Sequence, residues 1–196
     1  MITLDEITIV RDGREIIYDY SEQIPAGSIT VIVGPNGSGK STLLAAIAGD
    51  IAPDKGVITI DDLHPILTSP LELSRIRAMA VQNQSFTLGF TARQIIEMAG
   101  NADQVIGQLA LGEIADRLVT TLSGGEGQRV AIAQAIAQNT PVLLLDEPFA
   151  AQDIYSRGRI IQLLKVLAEE GKTIVVVAHS SESELSWADK VIKQFH

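Results

Sequence analysis

Gly34-Pro35-Asn36-Gly37-Ser38-Gly39-Lys40-Ser41-Thr42 decides the fold of this 196-residue chain. An apolar run, Ser28-Ile29-Thr30-Val31-Ile32-Val33, precedes it, and Leu43-Leu44-Ala45-Ala46-Ile47-Ala48 follows. Strand, glycine loop and helix in that order are the context a phosphate-binding loop requires. The glycines let consecutive backbone N–H groups converge on one point, and the helix start adds partial positive charge there. Lys40 is then placed to reach the β- and γ-phosphates of a nucleoside triphosphate, and the Ser41 hydroxyl to ligate Mg²⁺. The alternative is a glycine-rich strand–helix turn with no ligand. It is disfavoured because every fixed position is present and both flanks are correct.

Working outward, composition narrows the class. One domain with a substantial core is the natural reading of this length. The chain is 46% hydrophobic, with a mean hydropathy of +0.22, yet no window approaches the ~20 apolar residues of a spanning helix. The longest apolar candidate, residues 173–178, is short and β-branched. Asp5 and Glu6 near Met1 and the lack of a basic-then-apolar leader lead us to expect no signal peptide and a cytosolic location. The absence of cysteine excludes disulfides and thiolate metal sites, iron–sulfur ligation included. A net charge of −9 argues against non-specific nucleic-acid binding, which needs a basic footprint.

Patterning predicts the elements around the loop. Residues 2–10 alternate around Ile2, Leu4, Ile7 and Ile9, with an interruption at Asp5-Glu6, and read as a strand. Asp12-Gly13 turns the chain into a second strand at 15–21, giving a hairpin, and Pro25-Ala26-Gly27 leads into the strand before the loop. Gly49 ends the first helix; a strand at 57–60, a loop at 61–70, a helical turn at 71–75 and a strand at 77–81 follow. Helical periodicity at 92–99 and 103–111, stopped by Gly100 and Gly112, predicts a small helical insert. Next come helix 125–138, apolar strand 142–145, amphipathic helix 156–170 and apolar strand 173–178. A short helix at 182–187 and a last strand at 189–195 complete the pattern. Continuous apolar strands alternating with helices predict a parallel sheet covered on both faces.

Two further stretches carry chemistry. Val142-Leu143-Leu144-Leu145-Asp146-Glu147-Pro148 puts two acids at the carboxyl end of a buried strand, facing the crevice where such sheets bind ligands. Asp146 can join the Mg²⁺ shell opposite Ser41, and Glu147 can polarise a water for attack on the γ-phosphate. A plain strand-ending turn is the alternative. Leu122-Ser123-Gly124-Gly125-Glu126 offers a hydroxyl and mobile N–H groups at a helix start. It reads equally as a capping box, Ser123 paired with Glu126 three residues on, and the two readings are compatible.

GPNGSGKST, LSGGE, LLLDEP and His179, in this order and spacing, resemble the ABC ATPases, the nucleotide-binding subunits of ABC transporters. The resemblance spans essentially the whole chain. It implies an α/β fold of the P-loop NTPase type: a parallel core sheet with helices on both faces, an N-terminal antiparallel β portion and a small helical subdomain. Residues 1–196 would form one such domain, with 1–82 and 122–196 as the core and about 83–121 as the helical part. It implies ATP and Mg²⁺ as ligands and head-to-tail pairing with a second copy or a paralogous ATPase. Each ATP would lie between the Gly34–Thr42 loop of one chain and Ser123, Gly124, Gly125 and Glu126 of the other. The resemblance further makes Gln82 the glutamine that contacts Mg²⁺ or the attacking water, with Gln84 as the alternative. His179 becomes a γ-phosphate contact, and Asp153 a contact to the partner chain or, more plainly, a helix cap. His64 and His196 receive no role.

The chain departs from the pattern at three places. Ala150-Ala151-Gln152-Asp153 has alanine and glutamine where serine and leucine are common, which makes communication between the two sites less certain. Gly127 replaces a larger polar residue. Where an aromatic usually stacks on adenine stand Val10 and Arg11, and Arg11 can stack through its planar guanidinium; Tyr18 and Tyr20 match the position less well.

The expected role is the ATP-hydrolysing subunit of a transporter, peripheral on the cytoplasmic face of the cell membrane. Separate membrane permease subunits would dock at the insert, and a substrate-binding protein is a further candidate partner. An exposed Phe86, Leu88 and Phe90 would serve as docking patch or as ordinary packing. The stretch 90–96 and the LSGGE form look similar to importers of iron complexes, haem, cobalamin or metal ions; the short insert also resembles small exporter ATPases. A soluble assembly ATPase and a non-hydrolysing nucleotide-binding module are the rivals.

Overall fold

The alternation of Ile2, Leu4, Ile7 and Ile9 builds β1 (Ile2–Arg11), which turns into β2 (Arg14–Ile24) through Asp12 and Gly13 at φ 51° and 73°. Two positive φ values in a two-residue turn are the hairpin geometry that matches strand twist. A third strand, β4 (Lys55–Ile60), pairs antiparallel on the other edge of β1. The break in alternation at Asp5-Glu6 is a bulge: register shifts there in both pairings, Glu6 sits at φ 49°, and Ile7 returns to the core face. Described residues of the computed structural model are 1–82, 89–179 and 184–193.

Behind this small sheet lies a five-stranded parallel one in the order β5-β6-β7-β3-β8. Its strands are β3 (Ile29–Val33), β5 (Arg77–Ala80), β6 (Val142–Asp146), β7 (Thr173–Val177) and β8 (Lys190–Lys193). The all-apolar strands hide a period of two. Val142, Leu144, Val175, Val177 and Ile32 pack against the antiparallel sheet and helix α1 (Lys40–Ala48). Leu143, Leu145, Ile174, Val176 and Val31 pack the opposite way, against α5 (Gly124–Ala137) and α6 (Ile154–Glu169). Both faces being covered, both sets are apolar. The expected α/β architecture with its antiparallel N-terminal part is thus borne out.

α3 (Ala92–Glu97) and α4 (Ala102–Gln108) lie on α5, and their Ile95, Ile96, Val105 and Ile106 join the same core as the sheet. Close approach is built in at Gly100, where a Cβ would sit 2.1 Å from the Ala137 carbonyl oxygen. Phe90 packs against this core instead of forming an exposed patch; Phe86 and Leu88 lie outside the described residues.

Two local expectations need correction. The supposed loop 61–70 contains a 3-10 turn, Pro65–Leu67, and α2 (Pro70–Ile76) starts at Pro70, since proline suits the first helical position beneath a Ser69 cap. No α-helix forms at 185–187; the Ala188 N–H closes a turn onto the Leu185 carbonyl at 2.9 Å. Burial of Leu185 and Trp187, with Trp187 edge-on to Phe149 at 5.6 Å, overrides a helix too short to hold itself. β8 covers Lys190–Lys193, and the rest of the strand expected to reach 195 lies outside the described residues.

This packing decides where the loop before α1 can sit. Gly39 caps α1 at φ 92°, and a Cβ there would meet Ile16 Cγ2 at 2.7 Å. Gly39→Ala is therefore expected to cost at least the ~1–2 kcal/mol of a left-handed alanine, and Ile16→Ala to relieve the clash but not that cost, read by urea denaturation. In the sheet, Leu144→Ala should cost about 2–5 kcal/mol, whereas Leu67→Ala, 80% exposed, should stay within about 0.5 kcal/mol.

Candidate active site

Among the described residues, five of the six α-helices begin under a side-chain cap, from Ser69, Thr91, Asn101, Ser123 or Asp153. Only α1 starts on a glycine with no side-chain cap. Its first-turn N–H groups have no intrahelical partner by geometry, so they remain for an anion. Lys40 is 5% exposed, and its ammonium donates to the Gly34 and Pro35 carbonyls at 2.9 Å each. Two of its three donors thus shape the loop, and one is left for a phosphate oxygen. Ser38 Oγ is buried without a hydrogen-bond partner, 2.8 Å from where a Cβ on Gly34 would stand. Gly34 is needed because the loop folds over that hydroxyl.

The parallel register brings the acids to the same place. Asp146 closes β6 opposite Val177, and Ile32 of β3 lies on the other side of Val177. Ser41 Oγ donates to Asp146 Oδ1 at 3.1 Å across 105 residues of sequence. Burial raises the Asp146 pKa and the Ser41 bond opposes the rise.

Glu147 sits at φ 49°, an uncommon conformation for a non-glycine residue, and its N–H donates to the Val177 carbonyl at 2.9 Å. That contact pins the backbone and turns the carboxylate into the cleft. There Oε1 meets His179 Nε2 at 2.8 Å and Oε2 accepts from the Gln82 amide at 2.5 Å. Each carboxylate oxygen keeps a further lone pair, enough to hold a water.

A cleft of about 630 Å³ joins these groups. Asn36, Gly37, Gly39, Lys40, Ser41 and Thr42 form one wall, and Gln82, Glu147 and His179 the other. Gln84 lies outside the described residues. Arg11 does not line this cleft; its guanidinium bonds to the Val10 carbonyl at 2.7 Å, and Tyr18 is exposed. The apolar side chain that does line it is Ile16. Sequence reasoning missed Ile16 because it sought an aromatic. The available signal was the Ile16-Ile17 pair, of which strand alternation turns only Ile17 into the core.

Ser123, Gly124, Gly125 and Glu126 are absent from the cleft lining, as is Asp153. Ser123 forms a complete capping box: its hydroxyl accepts from the Glu126 N–H at 3.3 Å, and its N–H donates to the Glu126 carboxylate at 2.7 Å. These bonds with Ser123, then Arg117 at 2.8 Å, hold the Glu126 carboxyl below the usual range. Asp153 likewise caps α6, accepting from the Tyr155 and Ser156 N–H groups at 2.9 Å each and from Ser156 Oγ at 2.7 Å. The loop before α1 and the capped start of α5 thus do not share one cleft within one copy.

Known proteins resemble this chain in sequence and in fold. The family model described as ABC transporter matches residues 17–150. The hemin import ATP-binding protein HmuV of Rhodococcus jostii is 37% identical over 96% of this chain and 69% of its own length. The cobalamin import ATP-binding protein BtuD of Halobacterium salinarum is 36% identical over 92% of this chain and 49% of its length. The dimeric structure of a bacterial ABC transporter cassette superposes with a TM-score of 0.87 at 30% identity, covering 99% of this chain and 94% of that one. The same cassette in a post-hydrolysis state with ADP and Pi also scores 0.87, at 29% identity, over 100% and 94% of the two chains. By sequence across most of its length and by fold across nearly all of it, this chain belongs to the ABC transporter ATP-binding family and is an ABC ATPase.

Proposed function

We propose that this chain hydrolyses ATP at a site completed by a second copy, and that the closing and opening of that pair drives import of haem or a related metal macrocycle through separate membrane subunits. The observation that carries the hydrolytic reading is the Glu147 carboxylate, held from both sides at the mouth of the phosphate loop by His179 and Gln82. The import reading is supported by the hemin and cobalamin importers among the relatives. Work at the cytoplasmic face of the membrane follows from that reading.

In this mechanism the α1 N–H groups and Lys40 bind and orient the β- and γ-phosphates. Ser41 and Asp146, oxygen donors in contact beside the loop, fit a Mg²⁺ ion, which would supply charge neutralisation between the phosphates. Glu147 accepts the proton of the attacking water, His179 steadies the carboxylate and reaches for the γ-phosphate, and Gln82 holds the other carboxylate oxygen. Ser123, Gly124 and Gly125 of the second copy close over the same nucleotide, with Asp153 near that junction. Arg11 has no part in this account; Ile16 offers the apolar surface instead. Residues 1–82 and 122–196 act as the nucleotide-binding core, and the helices at about 83–121 receive the membrane subunits.

Glu147→Gln should retain ATP binding, accumulate an ATP-bound dimer on size exclusion, and lower turnover by roughly 10²-fold or more. Lys40→Ala should lose nucleotide binding itself. ATPase activity that survives both substitutions in the complex with its membrane subunits would exclude hydrolysis at this site. For cargo, vesicles carrying the co-purified membrane subunits should take up haem or cobalamin when supplied with ATP, and ATP-driven efflux would reverse the direction proposed.

A further inference from the structure

The segment from Ala150 to Asp153 runs from the end of β6 to α6, and on its way it is tied to the first turn of α5. Ala151 stands at φ 55°, and its carbonyl oxygen is so near α5 that a Cβ on Gly125 would lie 2.6 Å from it. Gln152 uses both ends of its amide at this crossing. Nε2 donates to the Gly125 carbonyl at 3.0 Å, and Oε1 accepts from Arg129 Nη1 at 3.3 Å. The same Arg129 nitrogen donates to Ser156 Oγ at 3.0 Å, and Ser156 Oγ in turn donates to Asp153 at 2.7 Å. The ties thus run in series from the Gly125 backbone through Gln152, Arg129 and Ser156 to the cap of α6. At the other end, the Ala150 N–H donates to the Glu147 carbonyl at 3.1 Å, so the segment begins on the residue that holds the water.

We infer that Gln152 is a positioning residue that locks Ser123–Gly125, the face presented to the partner copy's nucleotide, to the strand end that carries Glu147. A leucine here can fill the same space but makes neither hydrogen bond. The clamp therefore makes the chain's own catalytic edge and the surface it lends to its partner move as one body. Its effect is felt at the opposite site, and nucleotide binding in the chain's own cleft does not require it. This inference rests on the head-to-tail reading above.

The test uses the full chain with Glu147→Gln, so that dimers persist, and compares Gln152→Leu and Gln152→Glu. The glutamate keeps an acceptor for Arg129 but loses the donor to Gly125. Both variants should bind Mg·ADP as monomers within about twofold of the parent and melt within about 5 °C of it. Their ATP-dependent dimerisation, measured by sedimentation, should weaken by about fivefold to tenfold, the scale of the Gly125 bond that both variants lose. Unchanged dimerisation in both variants overturns the inference alone. ADP affinity and melting temperature falling in step with dimerisation also overturns it, by showing a general packing role. If the chain with Gln152 intact forms no ATP-dependent dimer, the head-to-tail reading itself falls, and the inference with it.

Discussion

The site depends on one constraint: parallel strand pairing, which forces the carboxyl ends of β3, β6 and β7 to finish side by side. Ile32 pairs with Val177, and Val177 with Asp146. That ladder places the start of the phosphate loop, the acid pair and the approach to His179 at one edge of the sheet. The Glu147 N–H then extends the ladder by one more bond, to the Val177 carbonyl. Groups more than 100 residues apart in sequence are set by backbone hydrogen bonds whose spacing no surface side chain can alter, and the apolar faces on either side keep the register from slipping.

Binding function is placed where the fold leaves groups unsatisfied or costly. α1 forgoes the cap its five neighbours enjoy, and Ser38 keeps a buried hydroxyl without a partner. Asp146 is a carboxyl whose burial works against its charge. Glu147 adopts a backbone conformation that costs a non-glycine residue about 1 kcal/mol or more. By contrast, the starts of α5 and α6 are satisfied within the chain through Ser123, Glu126 and Asp153. They serve as stable surfaces for another molecule to meet.

Much of this was legible in the residues. The interrupted alternation at Asp5-Glu6 was visible in the residues, and only the pairing with both neighbours showed it to be a bulge, where the register shifts. Glu147 was read from the apolar strand it follows, whereas Gln82 and His179 came from the resemblance to the ABC ATPases. Arg11 was the miss. Stacking chemistry alone does not say which face of a hairpin a side chain takes, and the twist of β1 and β2 turned Ile16 to the cleft. Residues 185–187 misled in a similar way, since anchoring of Leu185 and Trp187 outweighs local propensity.

The sequence by itself determined the phosphate loop, the acid pair and the capped signature helix, because each is a local pattern whose spacing carries its own chemistry. It also determined the parallel sheet, since apolar strands separated by helices have no other good burial. Only the tertiary structure decided that Gln82 and His179 hold opposite oxygens of Glu147, that Ile16 lines the cleft, and that Gln152 ties α5 to the end of β6. Those facts depend on the distance and orientation of side chains brought together by packing, and no spacing along the chain encodes them.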